Sequence, residues 1–208
     1  MNLATLRRLL WAAVAMALVV ALKLLWHPDA PQSNGQTISI GGPFSMTNQV
    51  GQKITEASFR GRPVAMFFGF TNCPDVCPTT LFRLSDLLKE LGEDGKGLQI
   101  VLVSVDPERD TPEVLRQYLE QFGSQFSGLT GTPEQLSDFA EKYRFYYKKV
   151  PQSDGNYTMD HSAGVFLFDE SGSFKGTLDI HEDIKTVVAK LRRLVHISSP
   201  SVNKSVSY

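Results

Sequence analysis

The sequence predicts an α/β domain with a central mixed sheet flanked by helices, extended at its start by a β-hairpin and preceded by one transmembrane helix. Three observations carry this. Leu9 to Leu22 is an unbroken apolar run behind Arg7 and Arg8. Apolar strand-type segments then alternate with stretches whose leucines recur at helical spacing. Both cysteines, Cys73 and Cys77, fall in one turn between such a strand and such a helix.

The apolar run is interrupted by Lys23 and extended by Leu24, Leu25 and Trp26. At about 1.5 Å per residue it just spans a hydrocarbon core if Lys23 snorkels. The leading arginines predict a cytoplasmic N-terminus, with everything after Trp26 on the far side. No convincing small-x-small cleavage site follows, so an uncleaved anchor over 1–26 is expected rather than a signal peptide.

His27 to Gly35, with two prolines, reads as a linker, and Gln36 to Phe59 as a β-hairpin or irregular strands on the domain edge. The expected divisions are an anchor over 1–26, linker and edge strands over 27–50, a globular domain over 51–197 and a disordered tail over 198–208. Val64 to Phe70 has the composition of a buried strand, and Leu81, Leu84, Leu87, Leu88 and Leu91 mark the helix behind the cysteine turn. Leu98 to Val105 is a second core strand. Thr111-Pro112 opens a helix, since Thr caps and Pro fits the first turn. Phe126 to Thr130 is a short strand, and Thr132-Pro133-Glu134-Gln135 is a capping box. Phe145 to Val150 is a further strand candidate, Pro151 to Tyr157 a loop. Ala163 to Phe168 and Ser173 to Leu178 form an antiparallel hairpin around Asp169-Glu170-Ser171-Gly172, and Glu182 to Val195 a closing helix.

The chain has 208 residues, 42% hydrophobic and 21% charged, with a formal net charge of -1, which gives no sign of a nucleic-acid partner. The first 26 residues hold three basic residues and no acidic ones, so the rest is mildly acidic. Two cysteines in one turn are too few for a disulfide scaffold; they form a redox pair, a metal site, or both. A helix N-terminus should favour the thiolate form. At i and i+4 both sulfurs can face one side, and paired thiolates select copper(I) or zinc over hard cations. A third ligand must come from elsewhere. A set of two sulfurs and one nitrogen is incomplete for structural zinc and acceptable for copper.

Of four histidines, His161, in Met159-Asp160-His161-Ser162 just before a core strand, is the best placed; its position alone leaves a ligand and a surface-loop residue equally open. His27, His181 and His196 read as interfacial, surface and terminal residues. Met46 and Met159 are weaker soft-ligand candidates, and Met66 reads as core filler. Asp75 reads as a solvated turn residue, and Asp106 as a residue that caps its own loop or tunes the site. Tyr143, Phe145, Tyr146 and Tyr147 read as packing.

The order βα, βα, βα, ββα with cysteines after the first core strand is the thioredoxin pattern, although no proline stands between Gln152 and Phe166, where thioredoxins place one. The stretches Gly69-Phe70-Thr71-Asn72-Cys73-Pro74-Asp75-Val76-Cys77-Pro78, Val103-Ser104-Val105-Asp106-Pro107-Glu108-Arg109-Asp110-Thr111-Pro112 and Asp160-His161-Ser162 go further. On them the chain resembles the Sco or SenC family of membrane-anchored, thioredoxin-like copper proteins required for assembling cytochrome c oxidase. The resemblance covers about Gly51 to Leu194.

The resemblance implies that Cys73, Cys77 and His161 bind one copper ion, Cu(I) or Cu(II), so that 51–197 is a copper-binding domain. It implies a metal-transfer protein, not an enzyme, that delivers copper to the binuclear site in subunit II of the oxidase. The alternative is a thiol-disulfide oxidoreductase that reduces the cysteines of that site or of another periplasmic partner. An upstream copper donor and a thiol reductase are the further expected partners. Without a longer Arg/Ser-rich presequence, the expected location is a bacterial inner membrane, single-pass, with the soluble domain in the periplasm.

Overall fold

The computed structural model describes residues 2–25 and 39–198. The chain divides into two compact units, Met1–Ile38 and Ser39–Tyr208. The linker residues 27–38, with His27, and the tail from 199 on lie outside the described residues, as does the side chain of His196.

The first unit holds helix α1 (Leu3–Leu25). Its segment Ala4–Lys23 is long and apolar enough to cross a membrane.

The second unit begins with the short strands β1 (Met46–Asn48) and β2 (Lys53–Ile54) and a 3-10 turn at Glu56–Phe59. Strand β3 (Val64–Gly69) leads into helix α2 (Val76–Leu91). A 3-10 segment, Gly92–Gly97, precedes β4 (Gln99–Ser104). There follow helix α3 (Pro112–Leu119), strand β5 (Phe126–Thr130) and helix α4 (Pro133–Tyr143). Strands β6 (Tyr147–Pro151), β7 (Tyr157–His161), β8 (Val165–Phe168) and β9 (Phe174–Leu178) and helix α5 (Ile184–Ser198) complete the domain.

Seven strands form one mixed sheet in the order β2-β1-β5-β4-β3-β8-β9. β3 pairs with β4, and β4 with β5, in parallel; the other pairings are antiparallel. Every residue of β3 and β8 is buried, which is why these strands read as continuous apolar runs rather than as alternation. Aromatic rings pack through the core: Phe68 stacks on Phe145 with ring centroids 3.9 Å apart, and Phe139 on Tyr143 at 4.0 Å. Met46 and Met66 lie in this core, 1% and 2% exposed, and so serve as filler rather than as ligands.

The helix caps follow the sequence. Thr111 accepts the N–H of Val114, and Thr132 that of Gln135, whose side chain returns to the Thr132 N–H. The expected hairpin at the domain edge is present as β1–β2, which extends the sheet beside β5.

One element departs from the expectation. Pro151 to Tyr157 was expected as loop, with no further strand before Ala163; instead Tyr157–His161 form β7, which pairs with β6 as a separate two-stranded sheet from Tyr147 opposite His161 to Pro151 opposite Tyr157. The strand is five residues long with none of them fully buried, so it carries no apolar run, and the Asp154-Gly155-Asn156 turn before it has the composition of a loop. Gly155 at φ 82 and the bond from the Gln152 N–H to the Asn156 carbonyl close this hairpin. Phe145, expected to start the preceding strand, instead turns inward onto Phe68, and β6 begins at Tyr147.

Candidate metal and redox site

β3 lies inside the sheet between β4 and β8, and its exit turn, Phe70 to Asp75, delivers the chain to the start of α2. A parallel sheet presents its chemistry at these carboxyl ends. Cys73 lies in the turn and is half-buried; Cys77 lies in the first turn of α2 and is 0% exposed. Both are free thiols. Asp75, at the N-cap, makes no capping bond with its exposed side chain. The sulfur of Cys73 takes over this role in part by accepting the N–H of Cys77 at 3.4 Å.

Gly69 makes room for the buried thiol. A Cβ at this position would lie 3.0 Å from the Cys77 Sγ and 2.8 Å from the Phe67 ring. The expectation that the helix terminus favours a thiolate does not hold for Cys77. Burial pushes its thiol well above the ordinary range, against a backbone hydrogen bond at Phe70; Cys73 and the Asp110 carboxylate add to the rise.

His161 ends β7 and turns its ring into the same place. Its Nδ1 lies 2.9 Å from the Ser162 carbonyl oxygen, and its Nε2 lies 3.8 Å from the Cys77 Sγ. A carbonyl only accepts, so Nδ1 carries the proton. In the neutral ring Nε2 then keeps its lone pair toward the thiol. Phe67 and Phe70 meet the ring edge-on at 6.4 and 5.8 Å between centroids. Ser162 bonds twice to Tyr146, from its own N–H to the Tyr146 carbonyl and from the Tyr146 N–H to its hydroxyl, each at 3.0 Å.

The loop after β4 ties these parts together. The Asp110 carboxylate, 0% exposed, accepts the Thr71 N–H at 3.1 Å, the Thr71 hydroxyl at 2.6 Å and the Ser104 hydroxyl at 2.6 Å. Burial raises the Asp110 carboxyl above its ordinary range, and the bonds from Ser104 and Thr71 oppose the rise. Asp106 accepts from the Arg109 guanidinium and, at 2.9 Å, from the Tyr157 hydroxyl.

Of the remaining sequence candidates, Met159 packs against the core from the hairpin and His181 is exposed before α5. Tyr143 and Phe145 are core residues, Tyr147 packs on the core, and Tyr146 is exposed. Sequence reasoning passed over Thr71, Arg109, Asp110 and Tyr157. All but Tyr157 stood in the quoted motifs, but only the folded chain shows what they touch. Among the described residues no group of three or more His, Cys, Asp and Glu side chains is gathered as a ready-made metal cage.

Fold and site together define a thioredoxin-like domain whose cysteine pair faces a histidine. The SCO1/SenC family profile matches residues 32–196. An SCO2-like protein of Rickettsia prowazekii is 36% identical over 164 residues, 77% of this chain and 80% of that protein. The structure of copper-bound ScoI from Bradyrhizobium japonicum shares 43% identity, with a TM-score of 0.69 over 75% of this chain and 99% of that one. Copper-bound yeast Sco1 shares 35% identity, with a TM-score of 0.71 over 82% and 96% of the two chains. The chain belongs to the SCO1/SenC family.

Proposed function

We propose that this chain is a membrane-anchored copper metallochaperone in which Cys73, Cys77 and His161 hold one copper ion for delivery to the binuclear site in subunit II of cytochrome c oxidase. The observation that carries this is the 3.8 Å approach of His161 Nε2, with its lone pair free, to the Cys77 sulfur. Copper-bound relatives of the same fold support it. Two thiols and one neutral imidazole suit Cu(I), whereas a closed zinc site asks for a fourth ligand.

Loading Cu(I) displaces the thiol protons, including the one that burial holds on Cys77. The half-exposed Cys73 closes the set. Release runs by ligand exchange: an acceptor thiolate enters the open position of the three-ligand ion, and His161 leaves as a neutral ring. The pair must be reduced to load, so an upstream copper donor and a thiol reductase are partners of this cycle. With Arg7 and Arg8 holding the N-terminus of α1 in the cytoplasm, the domain works in a bacterial periplasm on a single-pass anchor.

The unequal exposure of the two thiols favours one further reading, thiol-disulfide exchange. The Cys73 thiolate attacks a partner disulfide, and Cys77 then displaces the partner's second thiol. The partner gains two electrons and two protons as Cys73 and Cys77 form a disulfide.

The test is copper retention by the reduced full chain in detergent, loaded anaerobically with Cu(I) and challenged with a Cu(I) chelator. We expect one copper held by the parent, and losses of about tenfold or more in affinity for His161→Ala. Equal retention by His161→Ala refutes the three-ligand set; no retention by either chain favours disulfide exchange.

A further inference from the structure

The hairpin β6–β7 carries His161 but belongs to no part of the main sheet. What fixes its far end is a cluster on the loop after β4. The Arg109 guanidinium donates from both terminal nitrogens to the Tyr157 carbonyl, each at 3.2 Å, and lies 3.7 Å above the Tyr157 ring centroid. The Lys149 ammonium lies 3.8 Å from the same centroid, and it pairs with Glu108 at 2.7 Å. The Tyr157 hydroxyl donates to Asp106, which is 2% exposed and also takes the Arg109 side chain. Tyr157 thus meets the loop through its ring, its hydroxyl and its backbone carbonyl.

The same loop grips the cysteine turn. The Ser104 hydroxyl donates to Asp110 at 2.6 Å and accepts the Asp106 N–H at 3.0 Å. A continuous hydrogen-bonded path therefore runs from Thr71, beside the cysteines, through Asp110, Ser104 and Asp106 to Tyr157, four residues before His161 on the same strand. Period-two alternation places Tyr157, Met159 and His161 on one face of β7.

We propose that Arg109 and Tyr157 are positioning residues. They lock the hairpin against the loop that also holds the cysteine turn, and so set the distance between His161 Nε2 and the Cys73–Cys77 pair. Neither residue touches the metal; both act through His161. The inference rests on the copper reading of that site. Partners that orient a metal-ligating histidine cost about 10- to 100-fold in affinity when removed, and a lock at the far end of the same strand should act at the low end of that range.

The experiment uses the reduced full chain in detergent, loaded with Cu(I) and challenged with the chelator. The chains are the parent, Tyr157→Phe, Arg109→Gln, Arg109→Lys, His161→Ala and the doubles of His161→Ala with Tyr157→Phe and with Arg109→Gln. We expect copper loss to quicken about tenfold in Arg109→Gln, less in Tyr157→Phe, with partial rescue in Arg109→Lys. In the His161→Ala background Arg109→Gln and Tyr157→Phe should add nothing, because their route to the metal is already gone. X-ray absorption of the Cu(I)-loaded Arg109→Gln chain should keep two sulfur neighbours and lose the nitrogen one, a change that general loosening of the fold does not produce. Parent-like retention in Arg109→Gln and Tyr157→Phe, or equal effects with and without His161, overturns the proposal. Parent-like retention in His161→Ala overturns the three-ligand reading instead, so the two failures are told apart.

Discussion

The sulfur of Cys73 accepts the backbone N–H of Cys77 at 3.4 Å, so one cysteine steadies the first turn of the helix that carries the other. The pair is therefore unequal. Cys73 is half-buried in the turn, whereas Cys77 is sealed beneath it with its thiol held protonated by burial. Alkylation needs both access and thiolate. Iodoacetamide added to the reduced chain at neutral pH should give a single adduct, at Cys73, and the second only on unfolding. Peptide mass spectrometry at short times reads this directly; prompt modification of Cys77 would contradict the asymmetry on which the order of disulfide exchange depends.

Much of this was legible in the chain itself. Val64 to Phe70 announced a buried strand, the leucines of α2 announced its inward face, and the cysteines could only lie where these two meet. His161 could be singled out because it precedes the apolar strand β8. The loss came where folding uses polar residues at long range. β7 is short and none of its residues is fully buried, so no apolar run announced it, and His161 was expected in a loop rather than at the end of a strand paired to Tyr147. Asp106 was read as a residue that caps its own loop or tunes the site. It does bind Arg109 three residues on, but it also reaches Tyr157, 51 positions away. Asp110 reaches Thr71 across 39 positions. No local pattern encodes such pairings. The thiolate expectation failed for a related reason: a helix terminus is visible in sequence, whereas the desolvation that outweighs it for Cys77 is a property of the packed core.

Gly69 should tolerate no side chain. The obstacle is space rather than backbone conformation, because a Cβ would meet the Phe67 ring at 2.8 Å and the Cys77 sulfur at 3.0 Å. Gly69→Ala forces one of them to move. Overpacking of this kind costs about 1–3 kcal/mol. The expected outcome is a lower unfolding midpoint together with copper retention weaker than in the parent, since one of the two crowded groups is the sulfur of a proposed ligand and the other, Phe67, meets the His161 ring. A variant with parent-like stability and retention would mean that Cys77 has slack around it, contrary to its full burial.

Asp110 gives a pH signature with a definite sign. Burial, opposed by its bonds from Ser104 and Thr71, raises its carboxyl above the ordinary value of 3.8, so the native chain binds that proton more tightly than the unfolded chain does. Its contribution to stability is therefore greatest in acid and declines as pH rises from about 3.8 through the raised native value. Asp110→Asn cannot titrate and should lose this decline. Urea unfolding of the full chain in detergent, followed by circular dichroism, should show the stability of the parent relative to Asp110→Asn falling across that window; a difference that is constant or grows would sink the assignment. Above the window the parent holds a buried carboxylate against its desolvation, and what the charge secures is the grip on both donors of Thr71. An amide offers those donors a weaker acceptor. Asp110→Asn should accordingly lose copper faster than the parent at neutral pH even where its fold is no less stable, because the turn that presents Cys73 is then held less firmly.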